Sequence, residues 1–416
     1  MSPLHAQIGI GNGIRPYARR MLCLVLGSLL ALGAAPALAQ SDDDGADEVN
    51  YVELAARLIS DGHYDRAASA LHNVDPSAEG VDAGRYYTLQ GLVDLRRNNA
   101  SGAVAALQRA IEVRQGKPAD ERTNEDVRSL QLDHLYLAQA QFRLEHYRAT
   151  ISALHEAGAV AEEIAAVHAL RAQAHWKLEQ PVAAFAALDR GAQLFPGDPQ
   201  FLRRKVFYLI DLGFYQRAAE LGLRYLGNAE ADPDDYLAIG SALRKSEQYP
   251  SALKILERAW LQYPRNRRIA VELGHVYLDQ DKIGAAADIF AKAAAYHPAL
   301  LSEAAELQRR AGRLQRALLY NGSIADQKKK LRQRLAIFVA MERWEQAAAM
   351  GDALRRQGLL DNGDIRYAYA YALFKSGHFD RSDRMLSALT DPDLVRQATD
   401  LRKAMETCRR ARWKCL

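Results

Sequence analysis

The stretch Leu273–Pro298, LGHVYLDQDKIGAAADIFAKAAAYHP, decides the fold of this chain. A small residue, Gly274, sits inside one apolar helical pattern that stops at a polar break, Asp281. A second pattern opens at Ala286, carries the bulky Phe290 four places on, and closes at Pro298, which has no N–H and clashes with a continuing helix. The break recurs at Glu145, Glu179, Gly213, Glu247 and Asp281, a constant step of 34 residues. Two places after each break comes Tyr147, Pro181, Tyr215, Tyr249 or Ile283, and five places after comes Thr150, Ala184, Ala218, Ala252 or Ala286. Each letter answers a packing need. The small residue of the first helix (Gly91, Ala138, Ala172, Val206, Gly240, Gly274) admits a neighbouring helix, and the small residue opening the second helix does the same from the other side. Larger side chains at Leu71, Leu107, Leu154, Leu188, Leu256, Phe290 and Leu386 fill the space between them.

The period, with Leu273-Gly274-x-x-Tyr277, Ala286-x-x-x-Phe290 and Pro298, resembles the tetratricopeptide repeat (TPR) family. That resemblance implies an all-α fold: a superhelical solenoid of about ten helix–turn–helix units over residues 51–392, in which no unit buries its apolar face alone. Further breaks at Gly62, Asn98, Gly312, Glu342 and Gly377 extend the register outward. The long step from Asn98 to Glu145 holds an insertion, roughly Val113–Ser129, expected as an exposed polar loop. Residues 393–416 are expected to form a capping helix, Leu394–Thr407, and a cysteine-containing tail.

The N-terminus follows other rules. Arg15, Arg19 and Arg20 precede the apolar run Met21–Ala35, then Ala37-Leu38-Ala39, then Ser41-Asp42-Asp43-Asp44. This is the order of a secretory signal peptide, residues 1–39, with cleavage between Ala39 and Gln40. An uncleaved anchor would need about 20 strongly apolar residues, and Gly27, Gly33 and Pro36 shorten the run. Residues 40–50 read as a disordered acidic leader. Cleavage removes three Arg and no acid from 55 bases and 51 acids, leaving 52 against 51. A near-neutral mature chain lacks the electrostatic footprint of a nucleic-acid binder, and no second apolar run would hold it in a membrane. The expected compartment is the periplasm.

Cleavage also removes Cys23 and leaves Cys408 and Cys415, an even pair that in an exported protein reads as a disulfide. Seven residues of unbroken helix rise about 10.5 Å, whereas bridged Cα atoms lie within about 7 Å. The bridge therefore requires the last helix to stop near Cys408. Two free thiols on a frayed tail are the alternative.

No Gly-rich phosphate loop, G-x-S-x-G elbow or H-E-x-x-H motif is present. The histidines are scattered, with His63, His297 and His378 at unit boundaries and His168 and His175 in one first helix. The sequence points to no enzyme, no cofactor and no metal site.

Binding in such a stack falls on the first helix of each unit. In the resembled family the lining positions lie six and three before the small residue and one, four and five after it. Here they carry Arg85, Arg96, Arg143, Trp176, Lys177, Arg203, Phe207, Arg244, Lys245, Arg268, His275, Arg309, Arg310, Lys329, Arg332, Tyr367, Tyr371, Phe374 and Lys375, against fewer acids: Asp211, Asp234, Asp279, Glu306 and Asp364. The expectation is a basic, aromatic-spotted peptide groove suited to an extended acidic segment or a free carboxylate.

The C-terminal third carries a resemblance of its own. It runs through Ala311-Gly312-Arg313, Asn321, Ala325-Asp326-Gln327-Lys328-Lys329-Lys330-Leu331 and Gly358-Leu359-Leu360. It continues through Asp364–Tyr371, Ala398, Leu401-Arg402, Met405, Cys408, Trp413 and Cys415. These residues are similar to periplasmic TPR proteins encoded beside ExbB–ExbD–TonB energy-transduction clusters of Gram-negative bacteria. The resemblance implies a protein–protein interaction scaffold accessory to TonB-type outer-membrane uptake. A TPR assembly factor for envelope polysaccharide or outer-membrane export, and the regulatory half of an envelope enzyme, are the competing readings.

Overall fold

The structure is a computed structural model and describes residues 49–410. The expected signal peptide with Ala39 and Gln40, the acidic leader up to Glu48, and Trp413 and Cys415 lie outside the described residues. Among the described residues the regular structure is helical, without a strand. They divide into two compact units, one ending at Gly213 and one beginning at Phe214.

The first unit holds α1 (Tyr51–Ser60), α2 (Tyr64–His72), α3 (Ala83–Arg96), α4 (Ala100–Gln115), α5 (Asn124–Arg143), α6 (Tyr147–Glu156), α7 (Gly158–Glu162), α8 (Ala165–Lys177), α9 (Pro181–Leu194) and α10 (Pro199–Asp211). Within it α1 packs on α2, α3 on α4, α5 on α6 and α8 on α9, and the first helices α1, α3 and α5 also touch in succession. The second unit holds α11 (Tyr215–Asn228), α12 (Pro233–Lys245), α13 (Tyr249–Gln262), α14 (Arg267–Asp279), α15 (Ile283–Ala294), α16 (Leu301–Arg310), α17 (Leu314–Gly322), α18 (Gln327–Ala340), α19 (Trp344–Ala348), α20 (Gly351–Arg356), α21 (Gly363–Lys375), α22 (Phe379–Ser387) and α23 (Pro392–Arg410). The same alternation holds there: α12 packs on α13, α14 on α15, α16 on α17 and α21 on α22, while α12 meets α14, α16 meets α18 and α18 meets α21.

Every break read from the sequence is a left-handed turn. Gly62, Asn98, Glu145, Glu179, Gly213, Glu247, Asp281, Gly312, Glu342 and Gly377 all have φ between 54° and 80°. Such a residue lets the next N–H reach back to a carbonyl five residues earlier and close the helix end. His146 donates to Gln141 at 3.0 Å, Gln248 to Leu243 at 2.8 Å and His378 to Leu373 at 2.8 Å. The two helices of a hairpin start differently. Asn50, Asp82, Thr123, Asp198, Asp232, Asn266, Asp326 and Asn362 cap first helices with their side chains. Most second helices start straight from the turn, and His63, His146, Gln180, Gln248, Lys282 and His378 supply no side-chain cap; Asn99 does cap the second helix α4, and the first helices α8 and α16 start without one.

The packing letters hold as well. Ala67, Ala103, Ala184, Ala252, Ala286, Ala317 and Ala347 are wholly buried. A Cβ placed on Gly91 would lie 2.5 Å from Leu107, and one on Gly240 would lie 2.6 Å from Leu256. Gly274 stands in the same relation to Phe290, sixteen residues on, with no room for a methyl group between them.

Two expectations change. About half of the polar insertion is helix: α4 runs to Gln115 and α5 begins at Asn124, so only 116–123 connects them. Thr123 and Asp126 form a reciprocal capping box that starts α5 inside the presumed loop. Lys117 reaches Asp126 at 2.6 Å, and that contact with the Thr123 bonds holds the Asp126 carboxyl well below the usual range. The terminal helix is longer than expected, Pro392–Arg410 rather than Leu394–Thr407. Asp391 starts it by accepting the N–H groups of Asp393 and Leu394, and it continues past Cys408, which is buried in it.

Candidate peptide-binding face

In the first unit Arg96, Arg143, Trp176 and Lys177 lie at the C-terminal ends of first helices, whereas Arg85 lies in the first turn of α3 and donates to Glu53 at 2.6 Å. The Trp176 indole lies flat on the Tyr208 ring, centroids 3.9 Å apart and planes within 3°, and Phe185 meets both rings edge-on. Trp176 is thus a packing residue as much as a lining one. Burial pushes the Tyr208 hydroxyl up to about 12. Arg203 places its guanidinium 5.3 Å from the Phe207 ring centre, and Lys177 is exposed. Arg204, absent from the expected lining, is 5 % exposed with its Nε buried and unpartnered; burial pulls its guanidinium pKa down.

In the second unit part of the expected positive charge is compensated. Arg244 on α12 donates to Glu272 at 2.8 Å and to Asp279 at 3.0 Å, both on α14. Arg268 on α14 returns the contact to Asp234 on α12 at 2.6 Å. Arg309 clasps Glu306 through two bonds. Asp234, Asp279 and Glu306 are acids seen on the same track in the sequence; Glu272 was not. His275 packs near Phe290, ring centres 6.3 Å apart, and burial pulls its pKa down. Lys245 lies 4.4 Å from the Tyr215 ring centre and also bonds its hydroxyl. Arg310 and Arg332 are exposed.

At the C-terminal end Tyr367 and Tyr371 are half-buried on α21. Together with Phe374, Phe379 and Leu394 they pack against a core that includes Ala398, Leu401 and Met405 of α23. Trp344 meets Tyr371 edge-on at 5.6 Å, and Lys375 lies 5.6 Å from the Trp344 ring centre. Residues that carry the C-terminal resemblance have structural work here. Asp326 caps α18 through Lys329 N–H, and buried Asn321 links the Lys330 carbonyl to Arg334.

Among the described residues no group of three or more His, Cys, Asp or Glu is placed to hold a metal ion, and no helix is long and apolar enough to cross a membrane. Residues 243–311, which span the end of α12 through α16, match the family model of the tetratricopeptide repeat. Over these residues the helical hairpins are tetratricopeptide repeats. Among solved structures with TPR-like helical stacks, pilF of Pseudomonas aeruginosa is 14% identical, aligned over 55% of this chain and 96% of its own, with a TM-score of 0.40. PilW, described as a type IV pilus biogenesis factor, is 13% identical over 54% of this chain and 96% of its own, TM-score 0.41. YrrB, described as a TPR protein with an unusual peptide-binding site, is 18% identical over 42% and 92%, TM-score 0.36. Comparison with curated proteins gives no match.

Proposed function

We propose that this chain is a non-catalytic scaffold of the Gram-negative periplasm that binds extended, acidic segments of partner proteins, as an accessory to a TonB-type outer-membrane uptake system. The observation that carries the binding role is the exposure of Lys177, Arg310 and Arg332 on first helices, which also carry the half-buried aromatics Phe207, Tyr367 and Tyr371. Stacked first helices present such side chains at regular intervals, which suits a segment lying along them. The signal-peptide order of residues 1–39 supports export, and the C-terminal resemblance supports the TonB association. The pairing of Cys408 with Cys415 belongs to the same proposal.

The test is site-specific photo-crosslinking in cells from positions 177, 310 and 332, probed for ExbD-type and TonB-type proteins, together with receptor-dependent uptake in a strain lacking the chain. Crosslinks to those proteins and reduced uptake are expected. Crosslinks confined to polysaccharide or outer-membrane export machinery, with normal uptake, would move the chain to the assembly-factor reading.

A further inference from the structure

Five residues past the small residue in three successive first helices of the first unit come Arg96 on α3, Arg143 on α5 and Lys177 on α8. The corresponding positions of the second unit are mixed: Lys245 is occupied by Tyr215, Asp279 is an acid, Arg310 is an exposed cation, residue 340 is Ala, and Lys375 lies over the Trp344 ring. The first-unit cations are also differently partnered. Arg96 lies 5.4 Å from the Tyr64 ring centre, a contact that leaves its charge uncompensated. Arg143 donates one terminal nitrogen to the Leu95 carbonyl, next to Arg96. Its Nε is buried with no hydrogen-bond partner. Among the described residues, no carboxylate lies within ion-pair distance of Arg96, Arg143 or Lys177. Two neighbouring guanidinium groups in that condition repel one another, and an unmet buried donor is costly to maintain.

An anion would answer both conditions. We propose that Arg96, Arg143 and Lys177 form the acid-recognising part of the binding face, and that its occupant is an extended stretch of a partner protein carrying successive Asp or Glu side chains. First helices stack about 8–10 Å apart, and alternate side chains of an extended segment point the same way about 6.6–6.8 Å apart. A carboxylate at every second or third position therefore meets one cation per first helix. The proposal rests on the acidic-peptide reading above and assigns it to the first unit, away from the second-unit arginines already paired with Glu272, Asp279 and Asp234.

The experiment uses the chain from Gln40 to Leu416 and a fluorescein-labelled peptide of alternating Glu and Ser, ten residues long, titrated by anisotropy at low and physiological salt. Binding is expected, weakening as salt rises. Combined Arg96→Gln, Arg143→Gln and Lys177→Gln should weaken it at least tenfold, and Lys254→Gln with Arg258→Gln, at exposed positions on the second helix α13, less than twofold. Arg96→Gln with Lys177→Gln, both at exposed positions, serves if the Arg143 change unfolds the chain, and should still cost at least fivefold. The opposite pattern overturns this assignment while leaving an acidic-peptide scaffold; no binding at all overturns both. Binding that gains tenfold once residues 40–48 are removed would make the chain's own acidic leader the occupant and overturn the partner assignment.

Discussion

Gly351 and Tyr369 fit together as space and filler: a Cβ on Gly351 would collide with the Tyr369 hydroxyl, which donates to the Ala348 carbonyl at 3.1 Å. This is where the second helix of a hairpin is split into α19 and α20. The break frees carbonyls, and the buried phenol takes one of them. Gly351→Ala should cost about 1–3 kcal/mol by overpacking, and Tyr369→Phe about 1–3 kcal/mol by leaving a buried acceptor unmet. Chemical denaturation of both single variants and the double should show the double costing less than the sum. Strict additivity would mean the two groups do not share that space.

Gly274 and Phe290 allow the same test in the repeat itself. Gly274→Ala should lower stability by about 1–3 kcal/mol, and Phe290→Leu in the same chain should recover part of it. Unchanged thermal midpoints for Gly274→Ala would show that the 34-residue register has been placed wrongly.

Turn positions give a change of opposite sign. A non-glycine residue in the left-handed region costs roughly 1–2 kcal/mol, and Glu247 is held there at φ 60°. Glu247→Gly should raise stability by up to about 1 kcal/mol, because added freedom in the unfolded chain takes back some of the relief. Gly312→Ala, at φ 74°, should lower it by about 1–2 kcal/mol. Melting curves in which both changes act in the same direction would contradict the turn geometry.

Asp133 provides a pH dependence. Its carboxyl is buried between Thr88 at 2.6 Å and Arg114 at 2.7 Å, and burial pushes it up to about 6 although both partners pull the other way. The folded chain then holds this proton more tightly than the unfolded chain. The associated stability is full below about pH 4 and is lost as pH rises to about 6. Measured as thermal midpoints, wild type minus Asp133→Asn should fall across that window and level off above pH 7. A difference that is flat from pH 4 to 7 would show the carboxyl titrating normally.

The cysteine pair can be weighed directly. The mass of the unreduced mature chain should lie two hydrogens below the dithiol, with Gln40 as its first residue. Replacing both Cys408 and Cys415 by Ser should lower stability by no more than about 2.5 kcal/mol, the limit for so short a loop. Two thiols reacting in the native protein would exclude the bridge.

The hairpin register was legible because turn, packing and capping each leave a local mark. Glu145 or Gly213 must turn left-handed, Gly274 must admit Phe290, and Asn266 or Asp232 must receive N–H groups of the helix it opens. The charge pattern of the lining face was less legible, since it depends on offsets between helices. Arg244 and Asp279 could be seen on one track, but nothing local shows that Glu272 completes the pair. Trp176 read as a free lining aromatic because Tyr208, its stacking partner, lies in the next first helix. The Thr123–Asp126 box inside the insertion did have a local signal, a Thr followed three residues later by an acid. The loop-like composition around it masked that signal.

The unequal starts of the two helices in hairpins such as α12–α13 and α14–α15 reach into hydrogen-exchange kinetics. First-helix openings such as Asn266 and Asp232 shield the N–H groups of the residues two and three beyond them. The second helices that open at Tyr64, Tyr147 and Ile283 have no such side-chain cap over their first turn. Deuterium should therefore enter the chain in a comb, with fast teeth just past the left-handed turns whose second helix lacks a side-chain cap, spaced by 34 residues through the regular part of the array, and with no such tooth past Asn98, where Asn99 caps α4.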